Sequence, residues 1–330
     1  MAGERLTALF CTMHGGDRLL RMTREFTEID WLTASDPAEL QQRLQHADIL
    51  ILNNRICTAK LGQAFRAAPR DRLKWIHFNT AGVEMGLSMG LPRGVPVTSS
   101  AGTNGPVLAE HAMTLLLASM RRFNDIFHGQ MAHEWRRLPI ASAIRSLEGA
   151  TVCILGLGAV GREVARKLRA FDAQVIAVSR SGEDPNVRQV YGRERMHEAL
   201  AQSDALVICT NSDPSTHHII GATELAALKP GAFVVNMARG EIIDEPALIE
   251  ALRNGSLGGA GLDVTEGEPP SKDNPLWDLP NVILSPHVSG GGSGEASYQR
   301  QAGLFAENLR RFVGAEALLN VVEVPDECAF

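Results

Sequence analysis

Thr151-Val152-Cys153-Ile154-Leu155-Gly156-Leu157-Gly158-Ala159-Val160-Gly161-Arg162 is the stretch whose reading decides the fold. Val152 to Leu155 is an apolar run of buried-strand type. A glycine turn follows, and Val164, Ala165 and Leu168 then recur at helical spacing. A second apolar run, Val175 to Val178, closes a βαβ unit. Gly156 permits the tight turn, Gly158 lets backbone approach a pyrophosphate, and Gly161 lets the helix pack close to the strand. Unpaired N–H groups and the dipole at the helix N-terminus favour negative charge there. Gly156, Leu157, Gly158, Ala159, Val160 and Gly161 therefore read as the phosphate turn of a dinucleotide site. A typical NAD site places Asp or Glu at the end of the second strand to bind the ribose 2′-OH. Here Ser179, Arg180 and Ser181 stand in that region. No carboxylate repels a 2′-phosphate and Arg180 can pair with one, so NADP is the expected cofactor and NAD a possible one.

Outward from this unit, strand and helix patterns alternate. Strands are expected at Leu6–Cys11, Ile29–Leu32, Asp48–Leu52, Leu73–Phe78 and Val95–Ser99, with helices at Arg18–Phe26, Ala38–His46 (N-capped by Asp36-Pro37) and Ala59–Ala67. After a turn-rich segment, Ser99 to Pro106, helices are expected over Val107–Arg122 and Asn124–Arg136. Beyond Val178 come strands at Ala205–Cys209, Phe233–Met237, Gly259–Val264 and Val282–Leu284, a helix at Pro246–Arg253, a glycine cluster at Gly290–Gly294 and a closing helix at Ala296–Phe312. Strands alternating with helices imply parallel sheets covered on both faces. The expected fold class is α/β with two doubly wound parallel-sheet domains. Residues 1–101 and 289–330 form a discontinuous domain without a dinucleotide fingerprint, and residues 102–288 form the dinucleotide domain inserted into it.

The 330 residues suit about two domains. A net charge of −6 and a pI near 5.9 argue against general binding to nucleic acid or anionic membranes. The five cysteines, Cys11, Cys57, Cys153, Cys209 and Cys328, are scattered with no CxxC pair, as expected of reduced thiols. No stretch approaches the ~18 apolar residues of a membrane span, and no basic segment followed by a long apolar one opens the chain, so a cytoplasmic location is expected.

Three residues able to do chemistry follow expected strand ends in the second half: Arg239, Glu268 and His287. Ligands of open α/β sheets gather at strand C-termini. Gly156-Leu157-Gly158-Ala159-Val160-Gly161, Asn236-Met237-Ala238-Arg239-Gly240 running to Asp244-Glu245, Leu262-Asp263-Val264 with Glu268-Pro269, and Ser285-Pro286-His287 occur in that order. With this series the chain resembles the D-isomer-specific 2-hydroxyacid dehydrogenase family over nearly its whole length.

The resemblance implies a flavodoxin-like fold for the first domain and a Rossmann fold for the second. It implies hydride transfer between NAD(P)H and a small 2-ketoacid, of glyoxylate or hydroxypyruvate type, with Arg239, Glu268 and His287 catalytic. His287 would give a proton to the keto oxygen, Glu268 would stabilise its positive charge, and Arg239 would orient the substrate. Ala81, Gly82 and Val83 would bind the substrate carboxylate through backbone N–H groups. Thr210, Asn211 and Ala238 would line the cofactor, and Asp263 would contact the nicotinamide carboxamide; read from the residues alone, Asp263 is equally a loop cap. Gln130 and Trp135 resemble a family feature in which a tryptophan of the partner subunit approaches the active site, which implies a homodimer through the region after Gly102. For Trp135 the plain alternative is core packing.

Some residues depart from the family pattern. Asn211 stands where a proline is usual, Asp172 replaces a common helix-end glycine, and Asn79, Thr80 and Glu84 are unusual in the substrate loop. Substrate identity is therefore open. A non-enzymatic, cofactor-sensing protein of corepressor type on the same fold is the alternative reading. Gly86-Leu87-Ser88-Met89-Gly90 matches GxSxG, but it is expected in a loop rather than between strand and helix. No metal site is expected: adjacent His217 and His218 do not share a helix face, and His133-Glu134 lacks the second histidine of HExxH.

Overall fold

In the first unit of the structure, every strand runs parallel to its neighbours, as strands joined by crossovers do. The structure is a computed structural model that describes residues 5–11, 21, 25–180, 182–292 and 294–330. The chain divides into two units, Met1–Thr103 with Ser293–Phe330, and Asn104–Gly292. The first division lies two residues beyond the boundary read from the sequence. Thr103 is tied back to its own unit, since its N–H and hydroxyl donate to the Ser100 carbonyl and its carbonyl accepts from Arg300 Nε at 2.6 Å.

The first unit holds β1 (Thr7–Cys11), β2 (Asp30–Ala34), β3 (Ile49–Leu52), β4 (Trp75–Phe78) and β5 (Val97–Ser99) in the order β2-β1-β3-β4-β5. This 2-1-3-4-5 order is the flavodoxin-like one. Alternate residues of these strands enter two different cores. Leu9, Leu50, Leu52, Ile76 and Phe78 face one side, with Leu40, Leu61 and Phe65 of the helices Pro37–Arg43 and Ala59–Ala67. Ala8, Phe10, Ile49, Ile51 and Trp75 face the other, and there the closing helix Glu295–Val313 supplies Tyr298, Phe305 and Leu309. Trp75 stacks on Phe305 with ring centroids 5.4 Å apart. The returning chain thus supplies much of the described cover of the second face of this sheet. Of the expected helix Arg18–Phe26, Arg21 and Glu25 are helical, and most of the rest lies outside the described residues.

The second unit holds β6 (Thr151–Leu155), β7 (Gln174–Val178), β8 (Gln189–Tyr191), β9 (Ala205–Ile208), β10 (Ala232–Asn236), β11 (Leu257–Leu262) and β12 (Val282–Leu284), again all parallel, in the order β12-β11-β10-β9-β6-β7-β8. Counted from β6, the order is 3-2-1-4-5-6-7, the Rossmann arrangement with one strand added. Its two faces are again separate cores. Val152, Ile154, Val175, Ala177, Val207 and Val235 pack under the helices Gly105–Met120 and Ala159–Arg169, while Cys153, Leu155, Ile176, Leu206 and Val234 pack on the other face. Gly161 is required by close approach, because a Cβ there would lie 2.0 Å from the Gly156 carbonyl oxygen.

Several elements differ from the sequence reading. The helix expected to reach Arg136 is Phe123–Ala132; it stops at His133, whose backbone is left-handed at φ 57°, and a separate helix, Arg137–Ala143, follows. The Gly86–Gly90 segment is not loop throughout but falls in a short helix, Glu84–Met89. The edge strand β8 and the short helices Met196–Leu200 and Ala222–Ala227 are too short to show a period in the sequence. Among the described residues no helix is long and apolar enough to cross a membrane.

Among the described residues of the first unit, one histidine is buried. His77 on β4 is 1% exposed. The Trp75 indole donates to the Thr98 hydroxyl at 2.8 Å, which leaves that hydroxyl's proton for His77 Nδ1 at 2.9 Å. Burial pushes the His77 pKa down to about 3. The unfolded chain takes up this proton near pH 6.5 and the folded chain does not. Stability therefore falls as pH drops from about 6.5 towards 3. Between pH 7 and 5 the stability of the native chain relative to His77→Gln should fall by about 2 kcal/mol, measured by urea unfolding at the two pH values. A pH-independent gap would show that His77 titrates normally in the fold.

Candidate active site

Three adjacent strands of the second sheet, β10, β11 and β12, deliver Arg239, Glu268 and His287 from their C-terminal ends. The turn after β10 is shaped by Asn236, which is 1% exposed. Its Oδ1 accepts from the Ala238 N–H at 3.0 Å and its Nδ2 donates to the Arg239 carbonyl at 2.9 Å. The Arg239 guanidinium donates to the Ala238 carbonyl at 2.7 Å. Gly240 lies against the loop after β11 so tightly that a Cβ would sit 1.9 Å from the Thr265 carbonyl oxygen. That loop is held from below by Glu245, whose carboxylate accepts from the Glu266 N–H at 3.0 Å and from Asn274 Nδ2 at 2.7 Å.

His287 Nδ1 and Glu268 Oε2 are 2.6 Å apart, and both side chains are about two-fifths exposed (43% and 38%). With Nδ1 committed to Glu268, Nε2 is the nitrogen that can exchange a proton with a bound molecule. The His287 backbone is left-handed, at φ 50°. That conformation is uncommon for a residue with a Cβ and marks a segment held by its surroundings. The holder is Asp263, which is 1% exposed. Its carboxylate accepts from the Ser285 hydroxyl, from the Val288 N–H at 2.9 Å and from the Ser289 N–H at 3.0 Å, and its carbonyl accepts from the His287 N–H at 3.0 Å. Burial would raise the Asp263 pKa, but the Ser285 and Ser289 side chains and the Val288 and Ser289 amides outweigh it and hold the group below its ordinary value. His111 on the helix Gly105–Met120 joins the cluster, with Nε2 2.9 Å from Ser285 Oγ and 3.3 Å from Asp263 Oδ1. Beside the pair lies a cavity of about 430 Å³ with an apolar wall of Pro269, Pro270, Trp277, Leu284 and Pro286.

Asn236, Ser285 and His111 support the site; Asn236 and Ser285 stand in the motifs that carry the family resemblance without a role of their own, and His111 is not singled out by the sequence. The available signals were weak: a polar residue ending the apolar strand Phe233-Val234-Val235, and a histidine within an apolar helix.

The glycine turn is the second half of the site. Gly156, at φ 96°, packs so closely on Thr210 that a Cβ would meet its backbone at 2.7 Å, and the Gly156 N–H donates to the Val178 carbonyl. The ends of β6, β7 and β9 are thereby gathered at one point. A Cβ at Gly158 would meet no protein atom, and the helix Ala159–Arg169 begins there with no side-chain cap. Backbone N–H groups beside open space fit a pyrophosphate. Leu157 is buried in the core, Ala159 is exposed and Val160 partly so. Ser179 is partly buried, with its N–H donating to the Tyr191 carbonyl, and Arg180 is exposed. Ser181 lies outside the described residues. Asn211 accepts from the Thr216 hydroxyl through its carbonyl. Asp213 is kept below its ordinary pKa first by Ser215 and also by the charge of Arg180, so an acidic group shares the neighbourhood of that arginine.

Ala81, Gly82 and Val83 belong to the first unit, in the loop between β4 and the helix Glu84–Met89, where the Thr80 hydroxyl donates to the Gly82 carbonyl at 2.8 Å. Trp135 is 93% exposed and makes no core.

The family described as D-isomer specific 2-hydroxyacid dehydrogenase, NAD binding domain, matches residues 113–289. The glyoxylate reductase of Thermococcus gammatolerans is 32% identical over 306 residues, 89% of each chain. This chain belongs to the D-isomer-specific 2-hydroxyacid dehydrogenase family. The D-3-phosphoglycerate dehydrogenase of Methanocaldococcus jannaschii is 31% identical over 315 residues; this chain is covered to 93%, but it spans only 57% of that relative's length. The solved NADPH-dependent glyoxylate/hydroxypyruvate reductase of Sinorhizobium meliloti, in complex with NADP and sulfate, has a TM-score of 0.80 at 27% identity, covering 97% of this chain and 99% of that one. As a family member, the chain carries the His287–Glu268 pair and the glycine turn in one unit.

Asp263→Asn puts an amide donor against N–H groups that now have an acceptor. We expect a loss of about 1–3 kcal/mol in stability and a lower kcat as the His287 turn slackens, with the Kd for NADPH little changed. Fluorescence titration of NADPH reads the difference: a weakened Kd with kcat intact would mean that Asp263 serves the cofactor rather than the turn.

Proposed function

We propose that the chain reduces small 2-ketoacids to D-2-hydroxyacids with NADPH as its preferred cofactor and NADH as a poorer one, on substrates of the glyoxylate or hydroxypyruvate kind. The observation that carries this reading is the 2.6 Å His287–Glu268 pair at the strand edge that also bears the Arg239 turn. A nicotinamide cofactor held by this unit would supply the hydride that the substrate's C2 receives. His287 holds the proton that the keto oxygen gains, delivered from Nε2, and Glu268 fixes the ring through Nδ1 and balances its charge. Arg239 offers a planar fork for the substrate's carboxylate and carbonyl oxygens. The N–H groups of Ala81, Gly82 and Val83 receive the carboxylate. Asp263 acts as a positioning residue beneath His287.

For the cofactor, the turn Gly156–Gly161 takes the pyrophosphate, with Thr210, Asn211 and Ala238 beside it. Ser179, Arg180 and Ser181 take the ribose and its 2′-phosphate. The absence of a carboxylate at residue 179 supports NADP, and Asp213 near Arg180 tempers the preference.

A panel of 2-ketoacids with NADPH and with NADH, followed by cofactor oxidation, tests the reading. His287→Gln should lower kcat by about 10²–10⁴-fold, and Arg239→Ala should abolish turnover with NADPH affinity nearly unchanged. Tight NADPH binding with no turnover on any ketoacid would favour the cofactor-sensing alternative, and a preference for NADH would overturn the cofactor assignment.

We also propose a homodimer. Phe127, Met131, Trp135 and Leu138 are 54%, 81%, 93% and 79% exposed and lie within twelve consecutive residues. Such a run of large apolar side chains suits burial against a second copy. Light scattering on the native chain should give the mass of a dimer, and Trp135→Arg with Met131→Glu should give a monomer. An unaltered mass would place the interface elsewhere.

A further inference from the structure

The sequence argues against a metal at His217 and His218 because neighbours in sequence do not share a helix face. These two are not on a helix. They lie in the turn after β9, and His218 has a left-handed backbone at φ 49°, fixed by its N–H donating to the Glu241 carbonyl at 2.8 Å. The left-handed residue swings the second ring back beside the first, so that the ring centroids are 4.0 Å apart at an interplanar angle of 30°. Glu266, from the loop after β11, reaches the same spot, with its Oε1 2.9 Å from His218 Nε2. One donor atom from each of His217, His218 and Glu266 lies within 4.8 Å of the other two.

We propose that His217, His218 and Glu266 form a binding site for one zinc-class divalent cation per chain. Ligands of a tetrahedral zinc sit about 2.0–2.2 Å from the ion, which places donors about 3.3–3.6 Å from one another. The grouping brackets that span: His218 Nε2 and Glu266 Oε1 stand 2.9 Å apart and must open slightly, and no pair of donors is more than 4.8 Å apart. Two imidazole nitrogens and one carboxylate oxygen select zinc or its neighbours over magnesium and calcium, which take all-oxygen sets. Water fills the fourth position, since the cluster is open to solvent: His217 and Glu266 are exposed and His218 partly so. The backbone of Glu266 is already pinned by Glu245 at 3.0 Å, so one ligand is partly preorganised. Because Glu266 is two residues before Glu268, an ion here would also fasten the loop that carries the Glu268 carboxylate to the turn after β9. The site itself does not depend on the reductase reading.

The test is zinc titration of the full chain, stripped with chelator beforehand, in competition with a chromophoric chelator, and cobalt substitution read by its visible spectrum. The native chain should take one zinc ion and show the intense absorption of tetrahedral cobalt. His217→Ala, His218→Ala and Glu266→Gln should each weaken zinc by about tenfold or more, with circular dichroism unchanged. His287→Ala should keep the zinc. Absence of binding tighter than about 100 μM, binding insensitive to all three substitutions, or loss of the ion in His287→Ala would each overturn the proposal; in the last case the ion sits at the His287–Glu268 pair instead.

Discussion

A carboxylate removed from water needs hydrogen bonds to remain charged, and Asp263 draws its bonds from one short segment. Ser285, Val288 and Ser289 all donate to it, and the His287 N–H donates to its carbonyl. Satisfying the buried charge and shaping the turn around His287 are therefore a single event. Left-handed backbone at a residue with a Cβ costs on the order of 1 kcal/mol or more. Relaxing it would strip several donors from a buried anion, which costs about 1–3 kcal/mol for each unmade bond. Losing those bonds costs more than keeping the left-handed residue, and the imidazole stays where Glu268 can hold it.

The same edge explains why residues far apart in sequence come together. In a parallel sheet every strand ends on one side, so the loops after β10, β11 and β12 are neighbours because the strands are. Arg239, Glu268 and His287 need no long-range design beyond strand order. The supporting polar residues lie one layer beneath: Asn236 at the end of β10, Asp263 after β11 and Ser285 after β12, each tied to its own turn or to the next.

How much of this could be read from sequence follows from burial. Strands covered on both faces must be apolar throughout, so β1, β3, β6, β7, β9 and β10 stand out as runs, and the βαβ glycines mark the turn between two of them. β8 lies at the sheet edge and carries Gln189-Val190-Tyr191, which has no such run. The helix Arg137–Ala143 has no buried residue and thus no apolar face to read. Ligand-type residues were legible at strand ends, but the direction of a side chain was not. Asp263 reads alike whether it faces a cofactor or its own chain, and His217-His218 reads as two unrelated neighbours until a left-handed residue turns one back on the other. Trp135 likewise shows a large apolar side chain without showing that the fold leaves it 93% exposed.

One contact joins the Arg239 turn to the His287–Glu268 pair. Gly240 follows Arg239 directly, and its α-carbon meets the Thr265 carbonyl where no side chain could fit. Thr265 in turn bonds Gly267 through its hydroxyl at 2.8 Å, one residue before Glu268. Backbone against backbone leaves no soft side chain to absorb a displacement at that contact. The Arg239 turn therefore abuts the loop that carries Glu268, the partner of His287 in the 2.6 Å pair. In the proposed reaction Arg239 and His287 meet one substrate at tolerances of a fraction of an ångström. A bare glycine at residue 240 is what lets the two turns approach backbone to backbone.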